Sequence, residues 1–188
     1  MDHEEIVLIR KAQQGDYLAF ESLVHKYDSE VLSIALNMIG NVEDAKDIYQ
    51  EVFIRVFRSL PQFRFQCEFF TWLYRITVNY TINFRKKKNF RSSFYTASLL
   101  PEDGKMVIID SDTTHAPAQN AERKDFLKHL HQALNLLSPK QRSIFVLRHF
   151  HEHKLSEISE IMQCNLGTVK NSLFRAHQKV RQYLQDLE

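Results

Sequence analysis

Apolar residues recur every three or four positions along most of this chain, the spacing of helices that bury one face. Ile6, Leu8, Ile9 and Ala12 form a first short series, and Gly15-Asp16 interrupts it. Ala19, Phe20, Leu23, Val24 and Tyr27 then begin a second helix, for which Asp16 is placed to act as N-cap. The series resumes through Val31, Leu32, Ile34, Ala35, Leu36 and Met38, and Gly40-Asn41 stops it as a C-terminal cap pair does. Between Val42 and Leu60 the buried stripe is Ala45, Ile48, Val52, Val56 and Leu60. Acidic Glu43, Asp44 and Asp47 open this helix and basic Arg55 and Arg58 close it, which matches the helix macrodipole. Pro61 breaks it. After a loop rich in aromatics, Gln62 to Phe69, a long helix runs from Phe70 to Lys88. It is expected to have Trp72, Leu73, Ile76 and Tyr80 inside, and Asn79, Asn83 and Arg85 to Lys88 outside.

Periodicity fails from about Asn89 to Gln119, where Ser, Pro, Gly, Asp and Thr accumulate. A structureless stretch of roughly 30 residues inside one compact domain is unusual, so it reads as a linker between two domains. Met106-Val-Ile-Ile109 is its one apolar island, placed to dock on a partner or on the chain itself. Phe126, Leu127, Leu130, Ala133, Leu134 and Leu137 restore the helical period, and Ser138-Pro139 caps a fresh helix holding Ile144, Phe145, Leu147 and Phe150. Two more helices follow about a turn apart, one on Leu155, Ile158, Ile161 and Met162, the other on Val169, Leu173, Ala176, Val180 and Leu184. The pattern predicts an all-α chain of two small helical domains, residues 1–90 and 121–188, joined by a flexible linker, 91–120.

Composition agrees: 44% hydrophobic residues, four Gly and four Pro describe a helical protein with a real core. The net charge of +2 is uninformative as a sum, but its distribution is not. Residues 1–60 carry six basic against eleven acidic residues, 61–101 seven against one, and 139–188 eight against five. One acidic region and two basic ones suit a molecule that meets protein in one place and nucleic acid in two. The acidic start Met1-Asp-His-Glu-Glu is unlike a secretory signal, no apolar run reaches ~18 residues, and Cys67 and Cys164 form no disulfide framework, so the expected location is cytoplasmic.

The candidate chemistry lies on outer faces. No acidic residue occurs between Glu160 and Asp186, and Lys170, Asn171, Ser172, Phe174, Arg175, Gln178, Lys179 and Arg181 project from the last helix. Asn and Arg read purine edges bidentately and Lys and Arg neutralise phosphates, while Thr168 sits at the helix N-terminus, where open N–H groups suit a phosphate. Two such helices are a helix-turn-helix, which seats its second helix in a major groove. From Phe69 to Pro101 six basic residues and no acid are interleaved with Trp72, Tyr74, Tyr80, Phe84 and Phe90, the ingredients of a single-strand surface. His149, His151 and His153, with His129 and His131 upstream, lack Cys partners, and neither a metal nor any other cofactor is assigned.

Ser138-Pro-Lys-Gln-Arg-Ser-Ile-Phe-Val-Leu-Arg148, Leu155-Ser-Glu-Ile-Ser-Glu-Ile-Met162 and Gly167-Thr-Val-Lys170 together resemble region 4 of the extracytoplasmic-function sigma factors of the sigma-70 family. Asp44-Ala-Lys-Asp-Ile-Tyr-Gln-Glu-Val-Phe53 resembles their region 2.2, and Phe70-Thr-Trp-Leu-Tyr-Arg-Ile-Thr-Val-Asn79 their region 2.3 to 2.4. The resemblance implies a non-enzymatic subunit that brings core RNA polymerase to promoters, held by the clamp coiled coil of the largest subunit and the flap of the second largest. It implies polymerase contacts from Asp44, Asp47, Gln50, Glu51, Phe53, Ile54, Arg55 and Arg58. Capture of a flipped base in the −10 element falls to Phe63, Arg64, Phe65, Gln66, Cys67, Trp72, Arg75, Asn79, Asn83, Arg85 and Lys86. Reading of the −35 element falls to Arg148, Thr168, Lys170, Asn171, Ser172, Phe174, Arg175 and Lys179. An anti-sigma protein, often membrane-bound, is the implied inhibitor, while this chain itself does not insert.

Three positions depart from the family pattern. Phe65-Gln66-Cys67-Glu68 is bulkier than the small residues usual after Phe63-Arg64, Gln163 stands where Gly commonly ends the first helix of the motif, and Ser159 replaces Ala. The alternative function is a helix-turn-helix regulator acting without polymerase, which predicts dimeric operator binding.

Overall fold

Asp2, Asp16 and Asn41 begin three successive helices by the same device, a side-chain oxygen that accepts the backbone N–H three residues on, from Glu5 at 2.7 Å, Ala19 at 3.1 Å and Asp44 at 3.0 Å. The helices are α1 (His3–Gln13), α2 (Tyr17–Ile39) and α3 (Val42–Ser59). Gly40 ends α2 in the left-handed region at φ 78°, where its N–H donates to the Leu36 carbonyl. Pro61 turns the end of α3 into a single 3-10 turn, Leu60–Gln62, before the long α4 (Phe69–Tyr95). This computed structural model describes residues 1–95 and 129–186, with side chains described to Lys88 in the first stretch. The second stretch holds α5 (129–135), α6 (Pro139–His149), α7 (Leu155–Ile161) and α8 (Leu166–Gln185). Among the described residues there is no strand, and no helix is long and apolar enough to cross a membrane. The apolar island at 106–109 and the series through Phe126 and Leu127 lie outside the described residues.

α2, α3 and α4 pack on one another and α1 closes over α2. The stripe Ala45, Ile48, Val52, Val56 and Leu60 is buried as its spacing predicts. On α4 the inner face is rotated from the expected one: Phe69, Leu73, Tyr74, Thr77, Val78 and Thr81 are buried, whereas Trp72, Ile76 and Tyr80 are only half-buried. Thr71, Thr77 and Thr81 are all buried on this helix, and the last two satisfy their hydroxyls within it. Thr77 donates to the Leu73 carbonyl at 3.0 Å and Thr81 to that of Thr77 at 2.8 Å. α4 also runs on to Tyr95, past Lys88 and into the stretch read as linker. No Gly or Pro occurs between Phe69 and Tyr95 to stop it.

The two halves share a core. Ile144, Val146, Leu147, Ile158, Ile161 and Val169 join the cluster built from α1 to α4, while Ala133, Leu134, Leu137, Phe145, Ala176 and Val180 form a second one within the C-terminal half. At the seam α6 packs on α2, and α7 on α4. Arg142, 1% exposed, reaches across it with Nε and Nη2 both donating to the Asn37 carbonyl, at 3.3 and 3.0 Å. That carbonyl is one of the unpaired last four of α2, so an arginine from the other half caps the negative end of the helix.

Candidate nucleic-acid and polymerase interfaces

α7 and α8 form a helix-turn-helix. Lys154 opens α7, with Glu157 accepting its backbone N–H at 2.9 Å. The turn then passes through Gln163 at φ 50°, a left-handed residue where glycine is the unstrained choice. Val169, Ala176 and Val180 are buried, so the opposite face of α8 points outward. Lys170, Asn171, Arg175, Gln178, Lys179 and Arg181 are exposed there, Phe174 is 60% exposed, and Ser172 is half-buried. Arg148, also exposed, donates to the His153 carbonyl at 3.0 Å, which fixes the turn leading into α7. Thr168 lies in the first turn of α8, at the helix N-terminus as its position predicts. Asn165 is the N-cap, and its Oδ1 takes both the Thr168 N–H at 2.7 Å and the Thr168 hydroxyl at 2.8 Å. The Thr168 amide is therefore already satisfied, and the open donors of this helix start are the Leu166 and Gly167 amides.

The loop between α3 and α4 is held from three sides. Gln13 of α1 donates to the Leu60 and Phe63 carbonyls at 3.0 and 2.8 Å. Phe63 is buried against Trp72 and Phe69, with ring centroids 5.0 and 5.7 Å away. Phe65, at φ 57°, stacks on Phe63 from outside at 5.0 Å, with the Arg10 guanidinium 5.8 Å over its ring. Gln62, Phe63, Arg64, Gln66, Cys67, Trp72 and Arg75 line a recess of about 390 Å³. Arg64 and Gln66 are exposed at its rim, whereas Phe63 is its floor rather than a free stacking face, because three neighbouring rings already cover it. Burial pushes the Cys67 thiol up, opposed in part by Arg75. That favours the protonated thiol, a packing group rather than a nucleophile.

Two arginines expected to face DNA are engaged at the seam. Arg75 donates to the Glu160 carbonyl of α7 at 3.0 Å, and Arg85, half-buried, donates to Asn135 Oδ1 at 3.3 Å. Asn79, Asn83 and Lys86 remain exposed. A second recess, about 480 Å³, is lined by Asp44, Arg55, Tyr80, Asn83, Phe84, Lys87 and Lys88. Within it Lys88 pairs with Asp44, and the Arg55 guanidinium lies 4.7 Å over the Tyr80 ring while holding Glu51 at 2.9 Å. Arg55 thus leans toward α4 and away from the outer face of α3.

That outer face is mixed. Asp47, Gln50 and Arg58 are exposed and Glu51 is half-buried. Among them lies an apolar groove of about 410 Å³ formed by Tyr17, Phe20, Gln50, Phe53, Ile54 and Phe57. Phe53 is 9% exposed and shows only an edge, whereas Tyr17, Leu18, Ile54 and Phe57 are 67%, 71%, 44% and 50% exposed. Sequence reading missed Tyr17, Leu18 and Phe57. Phe57 falls outside the buried stripe of α3, and its being apolar off that stripe is the signal that marks a second, outward face.

The alternating His149, His151 and His153 do not gather. His149 meets His177, His151 is half-buried with Nε2 unpartnered, and His153 bonds Glu157 at 3.2 Å while stacking on Phe70. Among the described residues no three His, Cys, Asp or Glu side chains converge as metal ligands.

A helical bundle ahead of a helix-turn-helix, each with its own polar face, defines a transcription factor that binds more than one partner. The comparisons say which kind. The family described as Sigma-70 region 2 matches residues 23–91, and Sigma-70, region 4 matches 127–180. The chain is 32% identical over 195 residues to the ECF RNA polymerase sigma factor SigW of Bacillus subtilis, covering 95% of this chain and 96% of that one. To the RNA polymerase sigma-H factor of Pseudomonas aeruginosa it is 31% identical over 182 residues, covering 96% and 93%. Among solved structures, CnrH in complex with the cytosolic domain of CnrY superposes with TM-score 0.69 at 18% identity over 97% of this chain and 98% of that one. The sigma factor RpoE of Bartonella quintana, in complex with the anti-sigma factor NepR, superposes at 0.68, also at 18% identity, covering 88% and 96%. The chain belongs to the sigma-70 family of RNA polymerase sigma factors, in its extracytoplasmic-function branch. A regulator working without polymerase is not favoured, since region 2 matches as well as the helix-turn-helix.

Proposed function

We propose that the chain is the promoter-specificity subunit of a bacterial RNA polymerase, with residues 1–90 as the region 2 domain, 91–120 as linker and 121–188 as the region 4 domain. One observation carries this reading: an acidic and apolar outer face on α3 and an acid-free outer face on α8 occupy the same molecule. Apolar surface of this extent suits a stable protein partner, and a basic helix suits phosphate and base edges.

The polymerase clamp docks on Asp47, Gln50, Ile54 and Arg58, with Tyr17, Leu18 and Phe57 added to that set. α8 enters the major groove of the −35 element, where Asn171 is suited to adenine, Phe174 to a thymine methyl, and Lys170 or Arg175 to guanine. At the −10 element, opening and unstacking a base costs a few kcal/mol, which stacking and hydrogen bonding of the extruded base offset in part. Asn79, Asn83, Arg64, Gln66 and the Trp72 edge are the groups exposed for that task. The chain makes and breaks no bond; catalysis stays with the polymerase. It works in the cytoplasm, and an anti-sigma protein that covers the polymerase-facing groups is its expected inhibitor.

In vitro transcription with core polymerase on a library of promoters tests this. Initiation at a defined subset of templates, dependent on added chain, is the expected result. Initiation unchanged on every template would overturn it.

A further inference from the structure

His149 ends α6 and His177 lies in the middle of α8. The two Nε2 atoms are 2.6 Å apart, on exposed side chains, at the rim of a groove of about 480 Å³ also lined by Phe145, Val180, Arg181 and Leu184. Phe145 fixes both rings: its centroid lies 4.5 Å from that of His149 and 5.6 Å from that of His177. Two imidazoles thus converge through the same nitrogen from two packed helices, with their orientations set by an aromatic floor.

We propose that His149 and His177 form a two-histidine site for a borderline divalent transition-metal ion such as Zn²⁺ or Cu²⁺, clipping α6 to α8. Imidazole nitrogen is a preferred donor for these ions, whereas the hard ions Mg²⁺ and Ca²⁺ need oxygen donors. An ion bound ~2.0–2.1 Å from each nitrogen in tetrahedral geometry requires the pair to sit about 3.3 Å apart. The rings therefore separate by about 0.7 Å, which a small rotation of two surface side chains supplies.

Arg148 and Arg181 stand beside the pair and repel a dication, which sets the affinity well short of that of a closed four-ligand site. Two protein donors leave the remaining positions to water. The sequence pattern points instead to the alternating His149, His151 and His153, but the fold turns His151 and His153 toward other partners.

The test uses the full chain stripped of metal by chelation, titrated with ZnCl2 by calorimetry and with CuCl2 by electron paramagnetic resonance. One ion per chain is expected, with a copper signal split by two imidazole nitrogens and a melting temperature raised by zinc. H177Q and H149Q should each weaken binding at least about tenfold, a loss of ~1.4 kcal/mol. H151Q and H153Q should leave it unchanged. His177 is exposed in mid-helix, so H177Q keeps the test decisive even where H149Q disturbs the fold. Equal affinity in the wild type and H177Q, loss of binding on changing His151 or His153, or no saturable binding would each overturn the proposal. Since none of these readouts involves polymerase or promoter, they stand or fall apart from the proposed function.

Discussion

Replacing Arg142 by alanine and, separately, by methionine isolates two opposing contributions at the seam between the halves. Arg142 is 1% exposed and among the described residues meets no carboxylate, but donates to the Asn37 carbonyl and, at 2.6 Å from Nη1, to Asn135 Oδ1. Burial, with the nearby Arg85 charge, brings the guanidinium down to about 9. A drop of that size means that holding the charge there costs on the order of 5 kcal/mol. Three hydrogen bonds from a charged donor, two of them sharing the Asn37 carbonyl and so at the low end of ~1.5–3 kcal/mol each, offset about that amount. The buried arginine therefore adds little net stability, although removing it carelessly is expensive.

In R142A the Asn37 carbonyl loses its side-chain partner, Asn135 Oδ1 keeps only the donor from Arg85, and a void opens, so a loss of about 2–4 kcal/mol is expected. In R142M an apolar side chain of similar length fills the space and no charge is buried, so the change should stay within about 1 kcal/mol. Urea unfolding at pH 7, followed by far-ultraviolet circular dichroism, reads the difference. With a slope of ~2 kcal/mol/M, R142A lowers the midpoint by about 1–2 M and R142M by less than about 0.5 M. If R142M is as damaging as R142A, the hydrogen bonds dominate and the argument from desolvation fails. If R142A costs nothing, Arg142 is solvated in solution and the seam is open.

Three further outcomes follow from particular side chains. Phe57→Asp, on a side chain 50% exposed in the α3 groove, should weaken core-polymerase binding by ~2 kcal/mol or more while leaving −35 DNA binding by the free chain unchanged. Competition against a labelled sigma factor measures it, and equal loss on both would show misfolding instead. His151, held down to about 4 by burial and by His153, takes its proton near 6.5 when unfolded. Because its folded value is the lower one, stability is full above pH 6.5 and falls as pH drops toward 4. About 2 kcal/mol is lost by pH 5, and His151→Leu should flatten that slope in melts at pH 7 and pH 5. Gln163→Gly should raise stability by about 0.5–1 kcal/mol in calorimetry, since Gln163 is exposed and held at φ 50°; a decrease would mean that its side chain contributes more than its backbone costs.

What could be read from the chain alone depended on whether one helix or two decided the outcome. The α3 stripe, the caps at Asp16 and Ser138, the stop at Gly40 and the inner faces of α7 and α8 are local, set by spacing and by a single capping side chain. The inner face of α4 was misjudged because large apolar and aromatic residues were counted as core and the threonines were given no place in it. Trp72 and Tyr80 have polar tips that sit well at an edge, and Thr77 and Thr81 satisfy their hydroxyls within the helix. The seam contacts of Arg75, Arg85 and Arg142 were not legible for a different reason. Their partners are backbone carbonyls or an amide 85, 50 and 105 residues away, and no local pattern announces a carbonyl left open at a helix end. The pairing of His149 with His177, 28 residues apart, was hidden in the same way behind the nearer His151 and His153.

The chemistry of that seam bears on how two promoter elements are read by one chain. The −10 and −35 elements are centred about 25 base pairs apart, or ~85 Å along B-form DNA at 3.4 Å per pair. Here α7 of the helix-turn-helix lies directly against α4, which carries Asn79 and Asn83, so the two candidate reading faces are separated by little more than packed helices of ~10 Å diameter. With the seam intact, one molecule cannot hold both elements, and opening it must be affordable from polymerase and promoter contacts. The seam is apolar as well as polar: Ile144, Val146, Leu147, Ile158, Ile161 and Val169 pack into the core of the first half, so opening it exposes that surface together with Arg75, Arg85 and Arg142, whose donors phosphates or acidic partner groups then satisfy. The apolar groove of α3 is lined by α2 and α3 alone, so a partner seated there leaves the seam between α4 and α7 uncovered.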